Sequence, residues 1–370
     1  MHRPGRLTGS LAVSGMLLLV SAFAWMSASF APTVMFASNA EAAPAGELRS
    51  TEVGPAGPTP TPVGLQGLQR MVEPGCCALV GWMPDSSALL VLASPKAEES
   101  AALMAVALSG GTREVIWDEP AALSPDGALV LQPASDRVRF TRLADRSWWT
   151  IYTSGREPRL SPSGKFVAWD VVSRGISHPD VREHALWIAE VTGSQPRKLA
   201  AVIGGGLVGW GAGETTLIAS GRIGAAGKEG VWAIPLDGSS PQLLHEVLRP
   251  RDLLLSPGGG WLAFYVAFTG DSGQNGLWVL RTDGTSLSKI TPFGAYRWRS
   301  EGRLLLIPLG GAIAPTLFEV DASAGQALQL TDPLRTSLPI ANNDWIVAPD
   351  GKHLAFTSSV DRAIWVLDLP

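Results

Sequence analysis

The sequence predicts an all-β chain that folds as a seven-bladed β-propeller of four-stranded antiparallel blades. Three observations support this fold class. A tight-turn motif recurs seven times, a second strand-turn-strand motif follows most of its copies, and helical signals are nearly absent. Internal repeats of about 40–50 residues are typical of propellers and related repeat architectures.

The first motif is a short apolar run followed by a tetrad such as Ser-Pro-Asp-Gly at 124–127 or Ser-Pro-Ser-Gly at 161–164. Proline presets φ and glycine accepts a positive φ, so the tetrad forms a tight turn. The run that follows is rich in β-branched and aromatic residues and predicts a second strand. The proline position is occupied in successive copies, 37 to 50 residues apart, by Pro84, Pro125, Pro162, Ala212, Pro257, Ser300 and Pro349.

The second motif is a strand that carries Trp or Phe, then Asp-Gly or a relative of it, then another strand. This pattern is typical of a hairpin and supplies the third and fourth strands of each repeat. Its copies begin at Leu103, Val138, Ala185, Gly230, Gly276, Thr316 and Ala363.

Together the two motifs resemble the TolB-type, WD-like propeller repeat, whose marks are the Ser-Pro-Asp-Gly turn and a Leu-Trp strand ending in Asp-Gly. The resemblance covers residues 64–370 and implies a propeller. The fourth and sixth copies lack the proline and the second lacks the Leu-Trp strand, so a count differing by one blade stays open. The alternative is a β-sandwich or another repeated β array, but a sandwich does not repeat a motif at this period.

The last repeat has three strands and no fourth, which would leave an unpaired edge. Residues 64–73 precede the first repeat and stand in the phase of a fourth strand. We expect this segment to pair beside residues 363–369 and to close the ring.

The N-terminal region predicts export from the cytoplasm. Arg3 and Arg6 precede a long apolar run with small residues at its end, so residues 1–42 predict a signal peptide or an uncleaved signal-anchor transmembrane helix. Residues 43–63 are rich in proline and predict a disordered linker, and the propeller would occupy 64–370. Either reading places the propeller outside the cytoplasm, secreted or membrane-anchored.

Composition excludes some functions and favours none strongly. The formal net charge is −4, which gives no basic surface for nucleic acid. The two cysteines, Cys76 and Cys77, are adjacent, and they are read as two small buried hydrophobic residues rather than as a redox or metal pair.

The innermost strands are where a propeller would carry a catalytic or metal site. Their acidic residues are Asp252 and Asp344, each at the start of a strand, and they contain no histidine. A glycosidase needs two carboxylates at a set separation, and a metal site needs three or four ligands. We therefore predict no catalytic residues, no metal site and no cofactor.

The polar loops between the second and third strands, with the connections between blades, are the better place for binding, because loops on a rigid scaffold commonly carry it. His178 and His184 share one of these loops, where solvent-exposed surface is expected. The candidate binding residues are Arg174, His178, Asp180, Arg182, His184, Arg222, Lys228, Arg249, Arg251, Asp271 and Asn275.

These features predict an extracytoplasmic, non-catalytic propeller that binds a protein or ligand at the cell envelope. The expected partner is another envelope or secreted protein, with the membrane as a second partner if the N-terminal segment is uncleaved. The alternatives are a propeller enzyme of the lyase, lactonase or glycosidase type, or an envelope-assembly component related to TolB.

Overall fold

The computed structural model describes residues 67–95, 99–153, 156–173, 178–291, 293–309, 315–334 and 338–370. The predicted signal or anchor, the linker and Arg174 lie outside the described residues. Within these ranges the only helices are two 3₁₀ turns, Pro179–Val181 and Ala212–Glu214, and no helix is long and apolar enough to cross a membrane.

The first half of the chain contributes thirteen strands, most of them with buried apolar runs. Strand β3, for example, is buried at every position, as expected of a strand covered on both faces. The strands are β1 (Gln69–Val72), β2 (Cys77–Trp82), β3 (Ala88–Ala93), β4 (Ala102–Ala107), β5 (Arg113–Trp117), β6 (Ala122–Leu123), β7 (Leu129–Pro133), β8 (Arg137–Arg142), β9 (Trp148–Tyr152), β10 (Arg159–Leu160), β11 (Phe166–Val172), β12 (Glu183–Glu190) and β13 (Arg197–Trp210).

The second half repeats the same succession. Its strands are β14 (Thr216–Arg222), β15 (Glu229–Pro235), β16 (Gln242–Glu246), β17 (Arg251–Leu255), β18 (Trp261–Val266), β19 (Gly276–Arg281), β20 (Leu287–Ile290), β21 (Gly294–Ser300), β22 (Arg303–Pro308), β23 (Phe318–Asp321), β24 (Ala327–Gln329), β25 (Ile340–Val347), β26 (His353–Ser358) and β27 (Ile364–Asp368).

The strands form antiparallel sheets in a β-propeller arrangement. Five sheets have four strands each: β2–β5, β6–β9, β17–β20, β21–β24, and the sheet ordered β1-β27-β26-β25. The sixth sheet has seven strands, β10 to β16. The all-β prediction is confirmed, and the five four-stranded sheets are blades of the propeller.

Strand β1 pairs antiparallel with β27, so the predicted closing strand is confirmed. Gln69 lies opposite Val366, Arg70 opposite Trp365, and Val72 opposite Ile364. The N-terminal strand thus supplies the fourth strand that the last repeat lacks, and the edge of β27 is covered.

The seven-stranded sheet departs from the prediction of four separate strands per repeat, because one strand serves as the fourth of one repeat and the first of the next. Strand β13 pairs with β12 through its first part and with β14 through its second, with register shifts at the glycine run 204–206. A side chain at Gly205 would bring Cβ to 2.1 Å from the Ser220 carbonyl oxygen. Because glycine has no Cβ, the backbone passes there without breaking the strand.

Buried apolar side chains form seven clusters among the described residues, and each cluster packs two neighbouring sheets, or the two halves of the seven-stranded sheet, together. One of them joins the last sheet to the first, with Val366 of β27 and Val106 of β4 in the same cluster. Inter-sheet packing therefore returns to its starting point. Burying a side chain such as Phe264 or Phe356 contributes about 1.5–3 kcal/mol.

The two ends of the strands form two different faces. We call the end that carries the first-to-second and third-to-fourth turns the turn face. The opposite end, the loop face, carries the second-to-third loops and the connections between sheets, including 178–182, 223–228, 247–250, 267–275 and 359–363.

On the turn face the polar groups of the Ser-Pro-x-Gly turns are bonded in a repeated pattern. In the sheet β6–β9, Asp126 Oδ1 accepts from Ser124 Oγ at 2.5 Å and from the Ala128 N–H at 3.0 Å. Burial alone would raise the pKa of Asp126, but these hydrogen bonds outweigh it and hold the pKa below its usual value. The acid of the motif stabilises its own turn.

Two of the three Ser-Pro-x-Gly turns lack this acid, and a glutamate of the following turn replaces it. In Ser-Pro-Gly-Gly at 256–259, Glu301 Oε1 accepts from Ser256 Oγ at 3.0 Å and from the Gly260 N–H at 3.1 Å. In Ser-Pro-Ser-Gly at 161–164, Glu214 accepts from the Ser163 N–H and, at 2.6 Å, from Ser163 Oγ. Glu214 and Glu301 belong to the two repeats that lack the motif proline.

A second departure concerns the cysteines, which the sequence analysis read as two small buried residues. Cys76 and Cys77 are joined in a disulfide and are only half-buried, packed against the cluster that joins the last sheet to the first. They lie directly after the closing strand. The adjacent pair is thus a covalent link rather than core filling.

Candidate functional site

The predicted binding residues lie in the loops and strand ends of the loop face, and some of them meet. Asp180, in the loop after β11, forms an ion pair with Arg249, which lies in the connection between β16 and β17. His178 Nδ1 lies 4.0 Å from Asp180 Oδ2, and the Arg249 N–H donates to Glu229 Oε1 at 2.9 Å. Through Arg249, the loop 178–182 is therefore linked to the connection between β16 and β17 and to Glu229 of the next repeat.

Beneath this loop lies a buried charged cluster. Asp170 Oδ2 and His184 Nδ1 are 2.7 Å apart, and Arg156 Nε donates to Asp170 Oδ1 at 3.1 Å. Asp170 and His184 are 4% and 6% exposed, so the prediction that His184 is solvent-exposed is wrong. Burial would raise the pKa of Asp170, but hydrogen bonds from His184 and Arg156 lower it below the usual value. Gly206 leaves room for the cluster, since a Cβ there would lie 2.8 Å from Asp170 Oδ2.

The remaining predicted residues serve mainly their own loops. Arg222 lies opposite Glu229 in the β14–β15 register, with its Nε buried and without a hydrogen-bond partner. Lys228 Nζ lies 2.6 Å from Glu246 Oε2, and both side chains are exposed. The Arg182 N–H donates to the Pro179 carbonyl at 3.2 Å.

Asp271 and Asn275 shape the loop between β18 and β19. Asp271 Oδ1 accepts from the Gly273 N–H at 2.8 Å, and Asn275 Oδ1 accepts from the Thr269 N–H at 3.0 Å. Their polar atoms are largely bonded within the loop, so they do not converge with the other candidates.

The structure also brings together residues that the sequence analysis set aside. Asp252, Arg297 and Asp344 lie on the first strands of three successive sheets, β17, β21 and β25, and Arg297 interacts electrostatically with both carboxylates. We call these three residues the rim cluster. The Arg297 guanidinium donates to the carbonyls of Tyr296 at 2.7 Å, Trp345 at 3.2 Å and Asn343 at 3.3 Å.

Aromatic residues surround the rim cluster. Tyr265 and Phe293 have ring centroids 4.4 Å apart, and Tyr265 meets Tyr296 edge to face at 5.1 Å. The Tyr296 hydroxyl donates to the Asp252 carbonyl. Nearby, Arg251 lies over the ring of Phe268, 6.0 Å from its centroid.

Burial perturbs the charged groups of the rim cluster. It raises the pKa of Asp252 and of Asp344, although Arg297 opposes both shifts, and it lowers the pKa of Arg297. Burial likewise raises the pKa of Tyr265 and Tyr296. Residues with perturbed pKa values cluster at functional sites. Among the described residues, no carboxylate lies within salt-bridge distance of Arg297.

The backbone around the rim cluster is strained at several positions. Asp252, Phe268, Asn342 and Asn343 have positive φ values of 51°, 61°, 48° and 60°. Non-glycine residues in this region cost of order 1–3 kcal/mol each and concentrate at functional sites.

A signal for the rim cluster was present in the sequence. Asp252 and Asp344 both stand five positions before the motif proline, and Arg297 lies on the first strand between them. These two acids alone fit neither a catalytic nor a metal-binding pattern. The equivalent position in the repeat between them is Ala295, so a comparison of equivalent positions finds the two acids but not Arg297.

No group of three or more His, Cys, Asp or Glu side chains in the described part of the chain could hold a metal ion. The arrangement instead offers ion pairing and aromatic contact.

Comparison with protein-family models gives no match, and comparison with curated proteins gives none either. Among solved structures, an oligogalacturonate lyase in complex with manganese is similar, with 13% identity, 85% of this chain and 96% of that chain covered, and a TM-score of 0.59. A puromycin hydrolase matches with 13% identity, 83% and 55% coverage, and a TM-score of 0.53.

A TolB from Acinetobacter baumannii matches with 10% identity, 79% and 63% coverage, and a TM-score of 0.41, which is too low to carry an argument. At such identities the first two likenesses show the fold alone. The chain is a β-propeller.

Proposed function

We propose that the chain is an extracytoplasmic, non-catalytic β-propeller that binds another envelope or secreted protein through its loop face. The observation that carries this proposal is the distribution of exposed apolar side chains. Of the twelve large exposed apolar residues in the described ranges, seven lie in loop-face segments and none in a first-to-second turn. The seven are Val181, Leu248, Phe268, Phe293, Leu309, Leu334 and Val360.

Such a distribution fits a protein interface better than a small-molecule pocket. Exposed apolar groups rimmed by polar ones mark interaction surfaces, and aromatic residues and arginine are enriched there. Phe268 is 91% exposed beside Arg251, and Leu334 is 88% exposed. The rim cluster adds two acids and an arginine that a partner can pair with.

We also propose seven blades built on the TolB-type, Ser-Pro-Asp-Gly repeat. The seven-stranded sheet then counts as two blades that share β13, which serves as the outer strand of one and the inner strand of the next. The cluster that packs the two halves of this sheet, with Leu186 and Leu217, supports the division.

The cellular location belongs to the same proposal. Residues 1–42 are a signal peptide or signal anchor, and 43–63 link it to the propeller. The apolar run after Arg3 and Arg6 supports this assignment.

The test is capture of a partner from envelope extract by the full-length protein. A loop-face variant, Phe268→Ser with Leu334→Ser and Val360→Ser, should lose the partner, as should replacement of residues 178–182, which keeps the buried His184. The matched control, Leu68→Ser with Leu328→Ser, removes exposed apolar groups at 41% and 42% exposure away from the loop face and should retain it. Equal capture by both variants contradicts the proposal.

A propeller enzyme is the second candidate, and the raised pKa values of Asp252 and Asp344 beside Arg297 favour it. A panel of glycans and lactones separates the two functions. Turnover by the wild-type protein that is lost in Asp252→Asn would establish the enzyme.

A further inference from the structure

A second surface lies away from the loop face, on the hairpin of β8 and β9. This hairpin carries four arginines, and each lies over an aromatic ring. The centroid distances are 4.9 Å for Arg137 over Tyr152, 4.8 Å for Arg139 over Trp148, 5.7 Å for Arg142 over Trp149, and 4.6 Å for Arg146 over Trp117.

Part of this charge is not neutralised. Arg137 lies 2.7 Å from an oxygen of Asp136, and Arg142 lies 3.2 Å from one of Asp145. Arg139 and Arg146 have no acidic partner among the described residues. In a chain of net charge −4, the hairpin is a local positive surface.

The rings are exposed but not free stacking platforms. Trp148 and Tyr152 are 60% and 62% exposed, and a guanidinium covers a face of each ring. A guanidinium that lies flat on a ring can still direct its N–H groups outward, where they match a carboxylate in a bidentate geometry. The surface therefore favours anionic groups over neutral sugars.

The backbone of β9 adds a second recognition element. β9 is the last strand of its sheet and pairs only with β8. The Arg142 N–H donates to the Ser147 carbonyl and the Thr153 N–H to the Asp136 carbonyl, which fixes the alternation of the ladder. In that alternation the N–H and C=O groups of Trp148, Thr150 and Tyr152 point away from β8, toward the open edge.

The side chains of β8 and β9 also point in directions that suit an added acidic strand. Arg137 lies opposite Tyr152 and Arg139 opposite Thr150, so these two arginines share one face of the sheet with the exposed rings of Trp148 and Tyr152. The other face, with Phe140 and Ile151, is buried against the next sheet. A strand added along β9 would lie about 4.8 Å away and place alternate side chains, about 6.8 Å apart, beside these arginines.

We propose that β9 is a docking edge for an extended acidic segment of another protein, which adds as a further strand and pairs its carboxylates with Arg139 and Arg146. Main-chain hydrogen bonds would supply affinity, and the arginines would supply selectivity for acid. This surface is separate from the loop face and does not depend on the function proposed for that face.

The test uses the full-length protein and a fluorescent peptide of alternating valine and glutamate, with fluorescence anisotropy as the readout. The wild-type protein should bind this peptide, more weakly as salt rises, and should not bind its lysine counterpart. Arg139→Gln with Arg146→Gln should weaken binding about tenfold or more. Arg281→Gln, which removes an arginine over Trp261 at 5.3 Å elsewhere, is the matched control and should leave binding unchanged.

A second pair of variants tests strand addition itself. Thr150→Pro removes an outward N–H that the β8 ladder does not use, so the fold is retained and peptide binding is lost. Thr150→Val keeps that N–H and should bind as the wild type does. Thermal unfolding of each variant checks that the fold is intact.

Three results overturn the proposal. The first is no binding of the acidic peptide by the wild-type protein. The second is unchanged binding in a folded Thr150→Pro variant, which would leave only a patch for anions such as acidic polysaccharides. The third is a dimer in mass photometry that Arg139→Gln dissociates, which would make a second copy of this chain the occupant.

Discussion

The turn face and the loop face lie at opposite ends of the same strands, and they use polar groups in opposite ways. On the turn face, carboxylates such as Asp126 and Glu301 bond backbone and hydroxyl donors of a repeated turn. On the loop face, Asp252 and Asp344 hold raised pKa values beside Arg297. One end bonds its polar groups within the chain, and we propose that the groups at the other end bind a partner.

Backbone strain follows the same division. On the turn face, the positive φ of Ser86 and Glu214 falls at the glycine position of the motif, where the turn requires it. On the loop face, Asp252, Phe268 and Asn343 are strained outside any repeated turn. The repeated turn explains the positive φ values on the turn face. We propose that binding explains those on the loop face.

The largest loss of stability is expected at the loop-face end of the strands, in the buried cluster beneath the loop 178–182, where polar groups serve the fold as they do on the turn face. Asp170→Ala should lower the free energy of unfolding by about 3–5 kcal/mol, because it leaves the buried Asp170–His184–Arg156 cluster without its acid. Denaturant unfolding measures the loss. Asp145→Ala, which removes an exposed carboxylate bonded to Arg142 and Ser147, is the control and should lower the free energy of unfolding far less than Asp170→Ala does.

The same cluster sets a pH dependence. The folded-state pKa of Asp170 lies below its usual value, so its contribution to stability is complete above about pH 4 and is lost as the pH falls through the folded pKa. Asp170→Asn should abolish this part of the acid dependence. If the free energy of unfolding of Asp170→Asn depends on pH as steeply as that of the wild type, Asp170 is not the source of this acid dependence.

The next effect tests the turn face. Glu301→Ala should cost about 1–3 kcal/mol, because Ser256 Oγ and the N–H groups of Gly258 and Gly260 lose their acceptor. Adding Gly258→Asp restores the acid of the motif within its own turn and should recover most of the loss. If Gly258→Asp does not restore stability, Glu301 does not act as the substitute for the missing acid of the 256–259 turn.

A smaller effect of opposite sign is expected at the rim cluster. Asp252→Asn with Asp344→Asn should raise the free energy of unfolding at neutral pH by less than about 1 kcal/mol, since both sites are partly solvated. Because the pKa of each acid is raised in the folded state, folding favours its protonated form. The free energy of unfolding of the wild type therefore declines as the pH rises through the folded-state pKa. The gain of the variant should vanish below about pH 4, and a gain that persists there would have another cause.

The smallest stability effect is expected at the most exposed side chain. Phe268→Ser should change the free energy of unfolding by no more than about 0.5 kcal/mol, because Phe268 is 91% exposed. It should nevertheless weaken partner capture. Unfolding and capture measured on the same preparation separate the two roles, and a large loss of stability would place Phe268 in the scaffold.

The propeller was predictable because its signals are local and repeated. The Ser-Pro-x-Gly turns fix where the first and second strands meet, and the missing fourth strand of the last repeat pointed to β1. The continuous β13 was not predicted, because a glycine run normally indicates a break. Its close passage by Ser220 depends on the absence of a Cβ at Gly205, which only the assembled sheet reveals.

The contacts among the predicted loop residues were only partly predictable from the sequence. The loop residues Asp180 and Arg249 do meet, whereas Asp271 and Asn275 bond within their own loop. Burial of His184 depends on Asp170, fourteen residues earlier, and composition of the loop alone indicated solvent. The rim cluster joins three repeats, and no single motif contains it.

The central claim is that the loop face is the binding face, and amine cross-linking in intact envelopes tests it most directly. Lys228 and Lys289 lie at the loop-face ends of their strands, whereas Lys165 and Lys352 lie in first-to-second turns. Cross-links to a partner protein should come from Lys228 and Lys289. Partner cross-links from Lys165 and Lys352, with none from the loop-face lysines, would contradict the account.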